Sequence, residues 1–338
     1  MPNRIVAFGE IMMRLQVPGV ELLTQSNTLQ YSFSGTGVNV AAALSHLGHH
    51  SYIVSTLPDN PLGDAAIAHL RKLGLATELI RRDGQYIGMY FLESGFGARP
   101  SRVTYTNRQQ SSFNTAALNG YDFAAASSKI DAAHFCGITL AMNDTVRAQM
   151  VAFAHAVRIA GGKVSFDCNY RPGLWGEGSH AFARTHYESM LELADMVFMN
   201  EKDAMLTLGM QTNYAQCREQ LLELIPKVAL KYSIQTIAGT HRTINKDNTH
   251  TLQGYLFKDG RFTFGEPLTF AVHDRIGTGD AFASGIIHGQ LKGWVPEETI
   301  AFASAASMLA HTITGDTPLS SESDIRKAMA TSLGDIER

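Results

Sequence analysis

The stretch DRIGTGDAFASG, residues 274–285, combines closely spaced glycines with an acid in a way that suits the transfer of a phosphoryl group. Gly277 and Gly279 permit a tight turn that presents successive backbone N–H groups, and a helix that begins near Asp280 adds unpaired amides and a positive dipole end. The dipole would also keep the Asp280 carboxylate ionised, so that it accepts a proton from an attacking hydroxyl. The stretch predicts an anion hole at Gly277, Thr278 and Gly279, with Asp280 as the base.

A purely structural interpretation of this stretch stays open, since Asp280 would also cap a helix and the glycines would also close a turn. A single G-x-G-D is too short to decide between the two. The chain contains no G-x-x-x-x-G-K-[ST] and no protein-kinase motif set. SGTGVNVAAALSHLG opens a predicted helix, but it lacks the third glycine and the later acid of a dinucleotide-binding loop, which argues against a Rossmann-type site.

The composition favours a globular protein that recognises a small ligand locally. Of the 338 residues, 45% are hydrophobic and 17% are charged, and the net charge is −3. This length favours one large domain with an elaboration. The charge does not indicate a nucleic-acid or membrane-surface partner, so neither is expected.

The cysteines indicate a reducing compartment, and the hydropathy pattern indicates neither a signal peptide nor a membrane span. Cys136, Cys168 and Cys217 are far apart and lack metal-ligand spacing, so we expect them to fill the core rather than form disulfides. The N-terminal segment is not apolar enough for a signal peptide, and no stretch of eighteen apolar residues occurs. The sequence therefore predicts a soluble, cytoplasmic protein.

Short apolar runs alternate with helical patterns along most of the chain, as in βαβ units. This alternation predicts a three-layer α/β/α domain, with a mostly parallel central sheet covered by helices on both faces. The predicted strands are RIVAFGE, SYIVSTL, AAHFCGI, KVSFDCN and ADMVFMN, the predicted helices are GVNVAAALSHLG, LGDAAIAHLRKLG, 144–160 and 180–193, and a strand-rich part, 232–273, precedes a helical part from 279 to about 311.

Two stretches, 11–33 and 86–107, read as extended segments without intervening helices. Strands supplied in pairs from two separate parts of the chain suggest a small second sheet. We expect this sheet to form a lid over the mouth of the main domain, which takes residues 1–10, 34–85 and 108–338. The exposed strand edges of such a lid are compatible with pairing between two copies of the chain.

SGTGVNVAAALSHLG and DRIGTGDAFASG together resemble the paired signatures of the ribokinase-like (PfkB) family of sugar kinases, and the resemblance covers nearly the whole chain. Within that family, FDCNYRPGLW, LAHTITGD and the DRIG variant are similar to stretches of 2-keto-3-deoxygluconate kinases. The resemblance implies an α/β domain with a small β-sheet lid, and ATP-dependent phosphorylation of the terminal hydroxyl of 2-keto-3-deoxygluconate. It also implies Mg²⁺ as a cofactor and leaves open a monovalent cation and a homodimer formed through the lid.

The resemblance also implies which residues hold the sugar acid. Arg171 would help to bind its carboxylate, a role that suits a planar guanidinium. An arginine near the end of SRVTYTNR is assigned to Arg108, with Arg102 as the competing choice. Ser34 stands where relatives commonly show a glycine, and its side chain would narrow the sugar pocket. The substrate-binding residues implied are Gly35, Asn39, Tyr90, Arg108, Asn169, Arg171 and Asp316.

The nucleotide side departs from the family pattern. NEKD stands in place of N-x-x-E and implies a nucleotide contact at Asn200 and a magnesium ligand at Asp203, acting through water. TIAGTHR retains Gly239, but the usual basic residue is missing or displaced to His241 or Arg242. The nucleotide-binding residues implied are Asn200, Gly239, Gly277 and Gly279.

Two alternatives stay open, the second of which is motivated by the altered NEKD and TIAGTHR segments. A fructokinase or another neutral-sugar kinase of the same family would need no carboxylate-binding arginine. A non-catalytic sugar-acid sensor would retain the fold and lose efficient ATP use, although the intact GTGD argues against it.

Overall fold

The computed structural model describes residues 2–176 and 180–330. The strands are β1 (Arg4–Phe8), β2 (Met12–Gln16), β3 (Gln30–Ser34), β4 (His50–Leu57), β5 (Ile80–Arg82), β6 (Gly88–Glu93), β7 (Arg102–Thr106), β8 (Ala132–Cys136), β9 (Lys163–Asp167), β10 (Met196–Phe198), β11 (Thr236–Ile244), β12 (His250–Lys258), β13 (Arg261–Phe264) and β14 (Leu268–Phe270). The helices are α1 (Thr36–His46), α2 (Pro61–Lys72), α3 (Phe123–Ser127), α4 (Asp144–Ile159), α5 (Pro172–Trp175), α6 (His180–Leu191), α7 (Cys217–Tyr232), α8 (Thr278–Lys292), α9 (Pro296–Ala310) and α10 (Glu322–Met329).

A ten-stranded sheet forms the centre of the molecule, in the order β13-β12-β11-β10-β9-β8-β1-β4-β5, with β14 paired to β12. Seven neighbouring strands of this sheet pair in parallel, in the order β11, β10, β9, β8, β1, β4 and β5. Strands β12, β13 and β14 add antiparallel pairings at the β11 edge. This arrangement confirms the predicted mostly parallel sheet. It also brings the carboxyl ends of β1, β8, β9 and β10 to one edge, where open α/β sheets bind their ligands.

Each face of the sheet carries its own apolar core. Val6 and Phe8 of β1 pack with side chains of α4, α6 and α7. The alternate residue Ile5 packs with α1, α8 and α9 on the opposite face, and Ala7 packs there with α1 and α2. Successive side chains of a strand point to opposite faces, so this alternation buries the strand from both sides. The predicted three layers are therefore present.

The second sheet has four strands in the order β3-β2-β6-β7. β2 pairs antiparallel with β3 and parallel with β6, and β6 pairs antiparallel with β7. Both extended segments identified in the sequence supply these strands. The function of this sheet as a lid and the exact domain limits stay predictions.

Three features differ from the expectations or extend them. The helical part after residue 279 consists of α8 and α9, because Gly293 adopts a left-handed conformation and Pro296 begins a new helix. Helix α7 was not predicted, and it contains a proline at Pro226, which weakens any helical pattern. Cys217, at the start of α7, is exposed, so its assignment to the core was wrong, whereas Cys136 and Cys168 are buried as expected.

The stretch SESDIRKAMATSLGDIER, residues 321–338, follows α9. Its described part forms α10, which begins with a capping box in which Ser321 and Asp324 bond each other's backbone. Ile325 anchors this helix to the core with 2% of its surface exposed. Residues 331–338 lie outside the described residues. Within 2–176 and 180–330, no helix has the length and apolar character needed to cross a membrane.

Candidate active site

The turn before α8 has the close approach that its glycines suggest. Gly277 is the N-cap of α8 with φ of 78°, a left-handed conformation that favours glycine, and a side chain there would collide with the carbonyl oxygen of Asp316. At Gly279 a side chain would meet no atom within 4 Å. The Thr278 hydroxyl donates to the carbonyl of Arg275 at 3.0 Å. The amides of the predicted anion hole therefore begin the helix, and the space beside Gly279 is open.

Asp280 is buried in the first turn of α8, with 6% of its surface exposed. Its Oδ2 accepts a hydrogen bond of 2.7 Å from Nδ2 of Asn39 on α1. A capping carboxylate instead bonds the amides of its own first turn. Burial raises the pKa of Asp280 to about 7, although the Asn39 bond and the charge of Arg171 act in the opposite direction. The expectation that the helix dipole keeps Asp280 ionised is thus incomplete, since burial disfavours the charged carboxylate. A pKa near neutrality nevertheless suits a general base.

A second cluster of predicted residues forms around Asp316, which is 7% exposed. Its Oδ2 accepts a hydrogen bond of 2.8 Å from the Ser34 hydroxyl and another from the Tyr90 hydroxyl. The hydroxyl oxygens of Ser34 and Tyr90 also lie 2.8 Å apart. Burial raises the pKa of the Tyr90 hydroxyl to about 12. Next to Ser34, a side chain at Gly35 would collide with the carbonyl of Glu10. The serine that departs from the family pattern is therefore part of this polar cluster.

The structure distinguishes the two candidate arginines near the small sheet. The Arg108 side chain is only 10% exposed. Its Nε donates to Oε2 of Glu10 at 2.8 Å, and its guanidinium lies 4.8 Å from the centre of the Tyr105 ring. Its Nη1 is buried without a hydrogen-bond partner among the described residues. Arg102 is 75% exposed, and its nearest carboxylate, Glu93, is 3.7 Å away. Arg108 also borders a cavity of about 600 Å³, so the geometry favours Arg108 over Arg102.

Asn169 and Arg171 follow β9 at the carboxyl edge of the sheet. Asn169 has φ of 33°, and its Nδ2 donates to Sγ of Cys136 at 3.3 Å. Arg171 is exposed, and its charge lowers the pKa of Asp280. Arg171 therefore lies on the same side as the base, and it forms no ion pair with any residue of 2–176 or 180–330.

Asp167 is a residue of this edge that sequence reasoning missed, although it lies in the quoted FDCN stretch. Burial and the charges of Asp280 and Asp203 raise its pKa to about 8. Its Oδ1 accepts a hydrogen bond of 3.1 Å from the backbone N–H of Asn169. A strand-end acid among small polar residues was the available signal, but only the fold shows that other carboxylates lie close enough to interact with it.

Asn200 and Asp203 are joined in a local turn. The N–H of Asn200 donates to Asp203 Oδ2 at 2.8 Å, and Oδ1 of Asn200 accepts from the N–H of Lys202 at 2.9 Å. Burial raises the pKa of Asp203 to about 6. Among the described residues, no further hydrogen bond occupies Oδ1 of Asp203 or the side-chain NH2 group of Asn200.

The strand that carries Gly239 also carries His241 and Arg242, the two candidates for a displaced basic residue. A side chain at Gly239 would collide with the carbonyl of Met199. Nε2 of His241 lies 2.7 Å from Oε2 of the buried Glu201. Nη1 of Arg242 lies 3.2 Å from Nδ1 of His250. The two candidate replacements therefore have different surroundings, and His241 is the one beside the NEKD turn.

Asp167 and Asp203 are the candidate carboxylates at this edge for a divalent cation. Asp167 and Asp203 both have a raised pKa, partly because they repel nearby carboxylates. Carboxylate oxygens are the ligands that Mg²⁺ prefers, and it usually retains several waters. Among the described residues, no group of three or more His, Cys, Asp or Glu side chains is placed to hold a metal ion.

Comparisons with known proteins show the family to which the chain belongs. The sequence model described as pfkB family carbohydrate kinase matches residues 2–323. A structure from Enterococcus faecalis, whose name gives 2-keto-3-deoxygluconate kinase as a provisional activity, has a TM-score of 0.95 and 36% identity, with 99% of each chain covered. The 2-dehydro-3-deoxygluconokinase of Thermotoga maritima has a TM-score of 0.93 and 34% identity, with 98% of this chain and 99% of the other covered. The 2-dehydro-3-deoxygalactonokinase of Haloferax volcanii is 29% identical, with 100% of both chains covered.

Proposed function

The chain belongs to the pfkB family of carbohydrate kinases, and on this basis we propose that it transfers the γ-phosphoryl group of ATP to the terminal hydroxyl of 2-keto-3-deoxygluconate. The observation that carries the proposal is the buried Asp280 at the start of α8, directly after the glycine turn. The substrate is supported by the similarity to kinases of this name, which extends over nearly the full length of both chains.

Asp280 acts as the general base. It accepts the proton of the sugar hydroxyl while that oxygen forms a bond to the γ-phosphorus, and the bond between this phosphorus and the β,γ-bridging oxygen breaks as ADP leaves. The amides of Gly277, Thr278 and Gly279 stabilise the negative charge on the phosphoryl oxygens. Phosphoryl transfer needs little covalent help, so positioning and charge stabilisation supply most of the rate.

Residues on the β10 and β11 side hold the nucleotide and its metal. Asn200 contributes its free amide group, and the absence of a side chain at Gly239 allows close packing beside the nucleotide. Asp203 and Asp167 would hold Mg²⁺, since carboxylate oxygens are the ligands that this ion prefers and their mutual repulsion would be relieved by a cation. When bound, the metal neutralises charge on the phosphates. A requirement for a monovalent cation stays open.

The sugar acid lies between the Asp316 cluster and the arginines. Tyr90 and Asp316 bind sugar hydroxyls, since hydroxyl and carboxylate groups together offer both donors and acceptors. The partnerless Nη1 of Arg108 supports its assignment to the substrate carboxylate. Arg171 contributes the second positive charge, and Asn169 shapes the loop that precedes it. Gly35 and Asn39 complete the floor of the pocket.

A second candidate substrate is the C4 epimer, 2-keto-3-deoxygalactonate. The observation that favours it is the full-length similarity to the Haloferax volcanii 2-dehydro-3-deoxygalactonokinase. The comparisons do not favour a neutral-sugar kinase or a non-catalytic sensor. Exposed apolar side chains on the small sheet, among them Tyr31 and Val103, support a homodimer formed through the lid.

The proposal is tested by a coupled ADP-release assay with ATP and Mg²⁺. The acceptors are 2-keto-3-deoxygluconate, its C4 epimer, gluconate, fructose and ribose at equal concentration. We expect turnover of one or both keto-deoxy acids, and an increase in the KM for the acid in Arg108→Ala but little change in Arg102→Ala. Preference for fructose or ribose would contradict the substrate, and lack of turnover on all five, with no ATP-induced rise in Tm, would contradict the kinase.

A further inference from the structure

We propose that Arg14, in the small sheet, is a positioning residue that couples this sheet to the anion-hole turn and to the sugar-binding Asp316. The inference rests on the proposed kinase function. It adds a residue that no motif suggested, since MMRLQ contains one arginine between apolar neighbours. The argument depends on the ion pairs of Arg14 and on what each of its partners holds in place.

The guanidinium of Arg14 is enclosed between two carboxylates. Its side chain is 2% exposed, Nη2 lies 3.2 Å from Oδ2 of Asp274, and Nη1 forms an ion pair with Oδ1 of Asp316. Nη2 also donates to Oε1 of Gln16 on the same strand. Arginine is suited to such a position, because its planar guanidinium presents donors in fixed directions to more than one acceptor.

Asp274 ties two loops together beside the anion hole. Its Oδ1 accepts hydrogen bonds from the N–H groups of Arg275 at 2.6 Å and Ile276 at 3.2 Å, which fixes the chain directly before the turn. Its Oδ2 accepts from the N–H of Gly315 at 3.3 Å. One carboxylate therefore joins the approach to the anion hole and the loop that carries Asp316, and Arg14 holds that carboxylate from the side of the small sheet.

Asp316 makes the second connection. Its carbonyl oxygen packs so closely on Gly277 that no side chain would fit there. Its carboxylate meets Ser34 and Tyr90, which belong to the small sheet. Because Arg14 binds both Asp274 and Asp316, the sugar-binding cluster and the anion-hole turn share one anchor.

Loss of this anchor should disturb the reacting geometry more than it disturbs nucleotide binding elsewhere. Without the guanidinium, two largely buried carboxylates would lie close together without a countercharge, and they would move apart. A displacement of about 1 Å at a reacting centre can lower the rate about 100-fold. We therefore expect kcat to fall about 100-fold in Arg14→Met, with a much smaller change in the KM for ATP. Arg14→Lys should fall between Arg14→Met and the wild type, since an ammonium retains the charge but not the planar fork.

The kinetic test compares Arg14→Met, Arg14→Lys and Arg14→Ala with Arg99→Met. Arg99 is an arginine of the same sheet region that bonds the Val20 carbonyl instead of these carboxylates, so its variant should retain wild-type turnover. Millimolar guanidinium chloride should restore part of the kcat of Arg14→Ala and leave the wild type unchanged. Folded Arg14→Met with a kcat near that of the wild type, or Arg14→Ala without any guanidinium rescue, would overturn the proposal.

Hydrogen exchange gives a readout that does not depend on turnover. In the protein without substrates, amides of 275–281 should exchange faster in Arg14→Met or Arg14→Lys than in the wild type, and Arg99→Met should show no such change. Unchanged exchange in this segment would overturn the coupling even if the chain proved inactive on every sugar tested. Faster exchange in an inactive protein would uphold the coupling and contradict the kinase function alone.

Discussion

Replacement of Asp280 by asparagine should abolish most activity and, at the same time, stabilise the folded protein. The pKa of Asp280 is about 7, compared with about 3.9 for an aspartate in an unfolded chain. At about 1.36 kcal/mol per unit of pKa, the ionised carboxylate destabilises the folded state by on the order of 4 kcal/mol above pH 7. Asparagine carries no charge, so Asp280→Asn should gain up to about this amount of stability above pH 7.

The pH dependence of this gain has a defined sign. The folded state holds the Asp280 proton more tightly than the unfolded state, so the wild type regains stability as the pH falls through 7. The recovery is complete below about pH 3.9, where the carboxyl is protonated in both states. The advantage of Asp280→Asn is therefore largest at pH 8 and small near pH 4. The asparagine can still accept the hydrogen bond from Asn39, so this contact is not lost.

Thermal unfolding of the protein without ligands, in the presence of a chelator, measures the stability at pH 8 and at pH 4.5. We expect Asp280→Asn to have a Tm higher than that of the wild type by roughly 5 °C at pH 8, with little difference at the lower pH. In the ADP-release assay, its kcat should fall by about 10²–10⁴-fold. An equal or lower Tm at pH 8 would refute the burial argument, and turnover comparable to that of the wild type would refute the assignment of the base.

Further predictions concern the surroundings of Asp280. Asn39→Ala removes a hydrogen bond to the Asp280 carboxylate that is worth about 1.5–3 kcal/mol. In pH–rate profiles, the acid limb of kcat should therefore move up by about 1–2 pH units. The control Thr317→Val removes only the 3.2 Å bond to Asn39 Oδ1 and should leave that limb in place. Gly277→Ala places a side chain against the backbone carbonyl of Asp316 and should lower both Tm and kcat strongly. The side chain of Gly279→Ala would meet no atom within 4 Å, so this variant should fold with nearly the wild-type Tm. Equal Tm values for the two variants would contradict the turn geometry.

Local patterns in the sequence were enough to predict the main architecture. The alternation of apolar runs with helical periods predicted the parallel sheet with helices on both faces, and the breaks at 11–33 and 86–107 predicted the second sheet. These predictions succeed because a strand buried on both faces and a helix buried on one face need different spacing of apolar residues. The paired glycine motifs predicted the family, which the match to residues 2–323 confirms.

Helix α7 shows the limit of local patterns in the fold. Pro226 lowers the helix propensity of this segment, and the helix forms because its apolar face packs against the sheet. Cys217 shows the same limit, since a cysteine is usually buried but its place at the start of α7 exposes it. In both cases, contacts between distant elements override the preference of the residue.

The sequence by itself determined the chemistry-bearing turn at Gly277–Gly279 and Asp280, because the conformational freedom of glycine and the exposed amides of a helix start are local properties. Only the tertiary structure shows the burial that raises the pKa of Asp280, the closeness of Asp167 to it, and the contacts that favour Arg108 over Arg102. Only the tertiary structure also placed Arg14 against carboxylates about 260 and 300 residues away along the chain. Burial and charge pairing depend on groups from distant segments, so no spacing within one segment reports them.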